Sequence, residues 1–120
     1  MPFQFQELTS PSGMHYLRVD ASDHVGLADG KALEAQLLQP HLRGGRVLSV
    51  VRKGTEYAPE VRKFFSTLND KFSLMAVVVT SPIVRAAINM MVRLNKPEGG
   101  AFRMFTSEQE AMAWLEGNKP

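Results

Sequence analysis

The chain has 120 residues, 44% hydrophobic and 22% charged, with no cysteine; that suffices for one domain around one core and excludes disulfides and thiolate metal or redox chemistry. The net charge of +2 is unevenly spread: residues 1–40 hold two basic and five acidic side chains, residues 41–103 eleven and four, and residues 104–120 one and three, so the middle of the chain suits an anionic partner. The N-terminal MPFQFQELTS lacks the basic and apolar regions of a signal peptide, and the longest nearly apolar run, Leu74 to Val79, is far below the ~20 residues of a membrane span; a cytoplasmic location is the expectation.

Phe3-Gln4-Phe5-Gln6 alternates with period two, as a half-buried strand does. Ser10-Pro11-Ser12-Gly13 reads as a turn, and alternation resumes from His15 to Val19, so the chain opens with an antiparallel hairpin. A first helix is expected from about Ala28 to Gln39. Asp29 is its cap or first-turn acid, Leu33 and Leu37 its inner side, and Pro40 its stop. Arg46 to Val51 is a short β-branched strand. Pro59 suits the first position of a second helix, whose Val61, Phe64, Phe65 and Leu68 follow at i, i+3, i+4, i+7.

Phe72 to Thr80 is the next strand. From Met75 to Val79 it has no polar side chain on either face, which marks a strand covered on both sides in a helix-flanked parallel sheet. Ser81 and Pro82 cap and open a long third helix, expected over 82–95 and ended by Asn95-Lys96-Pro97. Ala101 to Phe105 forms a last strand. Thr106…Gln109 and Ser107…Glu110 are overlapping capping boxes for a fourth helix with Ala111, Trp114 and Leu115 inward and Gly117 at its C-terminal cap. The order ββαβαβαβα argues a single α/β domain over 1–120, with a mixed sheet of about five strands.

The residues from Thr80 on, above all Ser81-Pro82, Arg85, Asn89, Leu94-Asn95-Lys96-Pro97, Phe105-Thr106, Glu110-Ala111 and Trp114-Leu115, resemble the C-terminal half of bacterial STAS-like domains. This is the SpoIIAA-like group, also labelled STAS/SEC14 domain-containing proteins. Arg62-Lys63-Phe64-Phe65 is similar as well. The resemblance implies the SpoIIAA-like fold and a regulatory or ligand-binding module, not an enzyme. In the wider STAS class a serine, usually beside an aspartate, is phosphorylated at the start of the helix after the third strand. Here that connection reads Val51-Arg52-Lys53-Gly54-Thr55-Glu56, which leaves Thr55 as the candidate phosphoacceptor.

The third helix carries most information. With ~100° per residue, Arg85, Asn89, Arg93 and Lys96 fall within about 80° of one another. Ile83, Ala86, Met90, Met91, Val92 and Leu94 cover the rest, more apolar arc than packing on a sheet needs. An exposed Met-rich flank would bind a protein partner, a second copy of the chain in a homodimer, or a lipid. Ser81, Arg85, Asn89 and Arg93 form one ridge at spacing four that suits a small anionic ligand. The expected function is therefore a non-enzymatic binding module acting through helix 82–95 by protein–protein contact, with an anionic or lipid-like ligand at the same helix as the alternative. His15, His24 and His41 have no metal-ligand spacing, so no metal or cofactor is expected. Asp23-His24 lacks a nucleophile elbow, and Lys53-Gly54-Thr55 lacks the upstream glycine of a phosphate loop. Basic residues are not interleaved with exposed aromatics, so no nucleic-acid partner is expected.

Overall fold

A computed structural model describes residues 2–68, 71–86, 88 and 101–117. Strands β1 (Phe3–Thr9) and β2 (His15–Ala21) form the expected hairpin, paired from Phe3↔Ala21 to Thr9↔His15. The turn closes on Ser10. Its N–H donates to the Met14 carbonyl at 2.8 Å, and its carbonyl accepts the Gly13 N–H at 2.9 Å. Gly13 has φ +90°, a left-handed conformation that glycine adopts without steric cost. Both strands run two or three residues further than alternation alone suggests.

Two-residue β3 (His24–Val25) leads into α1 (Leu27–Leu37); β4 (Arg46–Val51), two-residue β5 (Glu56–Tyr57) and α2 (Pro59–Phe65) follow. A 3₁₀ turn over Ser66–Leu68 extends α2. Then come β6 (Leu74–Val79), the helical segment α3 over 82–86, β7 (Ala101–Phe105) and α4 (Glu108–Gly117). The main sheet has the order β1-β2-β4-β6-β7, antiparallel between β1 and β2 and parallel elsewhere. The sequence reading missed the small parallel sheet of β3 and β5. Two residues per strand are too few for periodicity to register.

The two faces of the sheet follow from parity along the strands. Leu17, Val19, Ala21, Val47, Val51, Val77 and Val79 point to one face, where Leu33 and Leu37 of α1, Val61 of α2, and Val84 and Ile88 complete the larger core. Leu48, Leu74, Ala76 and Val78 point to the other, where Phe105 and the α4 residues Ala111 and Leu115 cover them. β6 is therefore buried on both sides, as its unbroken apolar run requires.

The helix starts have local causes. The Gly26 N–H donates to Asp29 Oδ2 at 2.9 Å, so Asp29 closes the first turn of α1 from inside. Ser107 Oγ accepts the Glu110 N–H at 3.2 Å, which selects the second of the two capping boxes. Gly117 is the last residue of α4, and the residues beyond it lie outside those described. At the far end of α4, hydroxyl hydrogen bonds from Ser10 and Ser12 hold the Glu116 carboxyl below the usual carboxylate range. Ser12 donates at 2.9 Å. In a side-chain NMR titration the Ser12→Ala variant should move the Glu116 midpoint upward. An unchanged midpoint would show that Ser12 does not hold this carboxyl.

Candidate binding edge at the strand carboxyl ends

β2, β4, β6 and β7 run in one direction, so the loops that follow them gather at one edge of the sheet. In open α/β sheets ligands bind at this carboxyl edge. The register places Ala21, Val51 and Val79 side by side at the strand ends. Loops 22–23, 52–55 and 80–81 are consequently neighbours.

The middle loop is rigidly built. Gly54 takes φ +85°. Thr55 is only 4% exposed, and its hydroxyl donates to the Arg52 carbonyl at 2.6 Å and to the Ala21 carbonyl at 3.3 Å. The candidate phosphoacceptor thus ties two strand ends together from inside. Arg52 and Lys53 stand exposed on the outside of the same turn. Neither forms an ion pair among the described residues.

Beside this loop, Pro82 opens α3 and the Arg85 N–H donates to the Ser81 carbonyl at 2.9 Å. Val84 and Ile88, one turn apart, are buried against the sheet. That pair sets the rotation of the helix. Ile83 is turned away from the core and is 83% exposed, far beyond Leu38 at 49%, Leu27 at 38% or Leu8 at 36%. Part of the surplus apolar arc therefore faces solvent at the helix start. Ser81 and Arg85 are half-buried beside it. Asn89, Met90, Met91 and Arg93 lie outside the described residues. The structure brings Ser81, Arg85 and the Thr55 loop to one edge. On the helical wheel Ile83 is one of several residues in the apolar arc; the burial of Val84 and Ile88 at i, i+4 is what singles it out.

On the other side of the loop, Asp23 adopts a left-handed φ of 55° and its carbonyl accepts the Glu56 N–H at 2.7 Å. His24 Nδ1 and Glu56 Oε2 are 3.1 Å apart in an exposed pair. With Gly26, Asp29, Tyr57 and Pro59 they line an open cleft of about 370 Å³. Tyr57 is buried against Phe65, ring centroids 5.8 Å apart, and burial pushes its phenol upward. It does not titrate near neutrality. The three histidines lie apart: His15 meets Thr9 Oγ1 at 2.9 Å, His24 meets Glu56, and His41 meets Glu7. Among the described residues no group of three acidic or histidine side chains could hold a metal ion. No described helix is long and apolar enough to cross a membrane.

A family model described as "Domain of unknown function (DUF7793)" matches residues 34–119. The chain belongs to that family. Its match spans β4 to α4, and so includes the Thr55 loop and Ile83. Among solved structures, the DUF7793 chain is similar to an uncharacterised protein of the DUF3478 family with a SpoIIAA-like fold from Shewanella loihica PV-4. The TM-score is 0.65 at 16% identity, over 94% of this chain and 93% of that one. The fold is thus the SpoIIAA-like, STAS-like fold that the sequence resemblance implied. No curated protein matches.

Proposed function

We propose that the domain is a non-catalytic regulatory module that works by binding a protein partner at this carboxyl edge. One observation carries the reading: Ile83 is 83% exposed at the start of a helix whose neighbouring Val84 is 5% exposed. An isoleucine held on a fixed turn is preordered and loses little freedom on docking. Arg52 and Lys53 on the adjacent turn supply a positive rim. The partner surface is therefore an apolar socket with acidic surroundings, whose charges steer encounter. The cytoplasmic location expected from the sequence belongs to the same reading.

Affinity capture from the native host, with wild type and the Ile83→Glu variant compared by quantitative mass spectrometry, tests it. At so exposed a position the substitution should change stability by less than ~0.5 kcal/mol. One partner should fall by tenfold or more, and the paired Arg52→Glu, Lys53→Glu variant should lose the same partner in a salt-sensitive way. An unchanged set of captured proteins with both variants would sink the reading. A second reading, a small anionic or lipid-like ligand at the same edge, is favoured by the exposure of Arg52 and Lys53, which form no ion pair among the described residues. It predicts a bound anion in native mass spectra that the Ile83→Glu variant retains and the charge-reversed variant loses.

A further inference from the structure

The outer edge of the sheet, away from the binding edge, carries a second surface. β1 is the terminal strand. In an antiparallel pair, alternate residues exchange hydrogen bonds with the neighbour and the others point their backbone groups outward. Ser22 N–H donates to the Pro2 carbonyl at 2.9 Å, and Ser10 N–H to the Met14 carbonyl at 2.8 Å. Both pairs obey the strand register, so the even residues of β1 bond to β2. The N–H and C=O groups of Phe3, Phe5, Glu7 and Thr9 therefore face away from the sheet. Among the described residues no hydrogen bond reaches any of them.

Natural sheets guard such an edge with lysine, proline, a bulge or a short strand. β1 has no lysine, proline or bulge, and one charged residue. It is seven residues long, FQFQELT, and its register runs without a slip. Its single charge, Glu7, is turned toward His41. The opposite edge is guarded: β7 has five residues, with Arg103 at its centre.

We infer that β1 pairs antiparallel with β1 of a second copy, forming a two-fold dimer with one continuous ten-stranded sheet. A two-fold axis at Gln6 sets Phe3 against the partner's Thr9 and Phe5 against the partner's Glu7. Each such pair exchanges two hydrogen bonds, so all of the outward groups are used on both copies. On the exposed face Gln6 meets the partner's Gln6, and Gln4 meets the partner's Leu8. No like charges fall opposite each other, which is the complementarity a self-pairing strand needs. The strand's own copy fits this edge in a closed symmetric way, the commonest form of soluble oligomer. One strand edge is smaller than the ~800 Å² per partner of a standard interface, so a weak dimer in the micromolar-to-millimolar range is expected.

Sedimentation velocity on the full chain, from about 10 μM to 1 mM, reads this range. Wild type should pass from monomer to dimer across it. The Gln6→Lys and Gln6→Glu variants should each weaken the dimer about three- to tenfold, because like charges then sit directly opposite. Their equimolar mixture should restore it. Glu7→Pro removes one outward N–H per copy without touching the β2 ladder and should abolish the dimer, while Glu7→Gln should keep it. Circular dichroism of each variant checks that the hairpin stays folded. A wild type that remains monomeric at 1 mM overturns the inference. So does a dimer that mixing the Gln6 variants fails to rescue, and so does one lost with Ile83→Glu but indifferent to Gln6, which would move self-association to the carboxyl edge.

Discussion

Gly30→Leu is expected to destabilise the domain by about 3 kcal/mol, a fall of roughly 10–15 °C in melting temperature. Gly30 lies inside α1 and is buried. A Cβ there would stand 2.8 Å from Val61 Cγ2, 3.6 Å from Phe64 Cδ1 and 3.8 Å from Phe65 Cε1. Val61 is 0% exposed and β-branched, so its methyl has no free rotamer to escape into. Any side chain larger than hydrogen must push α1 and α2 apart. Alanine sharpens the test. It gains ~1 kcal/mol of helix propensity over glycine, so Gly30→Ala should come out destabilising only if the clash exceeds that gain. Urea unfolding of both variants decides the matter. A Gly30→Leu protein within 1 kcal/mol of wild type would mean that the two helices are not in contact as described. The effect reaches further than one contact, because Phe65 of α2 also stacks on Phe3 at 6.4 Å and abuts Tyr57. Forcing α2 outward would loosen β5, which continues from the Thr55 loop, and with it the base of the binding edge.

Gly30 also shows where reading the sequence fails. By propensity a mid-helix glycine counts against the helix; only the partner helix explains it. What was legible came from strong, long patterns. The run Leu74–Val79 is apolar on both faces and is buried on both. Val61, Phe64, Phe65 and Leu68 keep helical spacing and pack inward, although the last turn tightens to 3₁₀. The turn Ser10–Gly13 has the residues its dihedrals demand. What was not legible depends on neighbours in space. Nothing in the sequence of His24-Val25 or Glu56-Tyr57 announces that they pair. The outward arc of α3 is likewise invisible on a helical wheel, which gives directions around a helix but not where the sheet lies. Once Val84 is placed in the core, Ile83 must sit ~100° away, and its exposure follows. The spacing that sets Ser81 and Arg85 on one ridge is read from the sequence; Arg52 and Lys53 come to lie near Ile83 only when β4 and β6 are known to be adjacent.

The two surfaces use different physics. The carboxyl edge offers one exposed apolar side chain and exposed cations, so its affinity should fall with salt. The β1 edge offers backbone groups and, within its own seven residues, no lysine or arginine, so its pairing should depend far less on salt. The same titration in 50 mM and 500 mM salt therefore separates a partner held at Ile83 from a second copy held along β1.

Leu115→Ala is expected to cost about 3 kcal/mol, and to do so unevenly. The second core is small: Leu48, Leu74, Ala76, Val78 and Phe105 on the sheet, closed by Ala111 and Leu115 at 0% exposure each. α4 is the one described helix on that face, and around Leu115 the core is completed by Met14 and the partly buried Met112 and Trp114. Beyond Ala111 and Leu115, Trp114 packs on Phe105 with ring centroids 5.7 Å apart, and polar ties lie toward the two ends of the helix. Arg18, bonded to Asp20 Oδ2 at 2.9 Å, donates to Glu108 Oε1 at 2.5 Å, and the two carboxylates raise its pKa. Ser12 donates to Glu116 at the other end. The half-exposed Arg18–Glu108 pair contributes at most ~1 kcal/mol. These ties orient α4, while Leu115 is the one large, fully buried side chain that α4 itself contributes among the described residues. Native-state hydrogen exchange should therefore show the α4 amides opening well below the global unfolding free energy, with β4 and β6 still protected. Apolar dye binding should rise as Leu48 and Val78 are uncovered. If the α4 amides and the central strands instead lose protection together, the small core is energetically one with the large one and α4 is no separate lid on it.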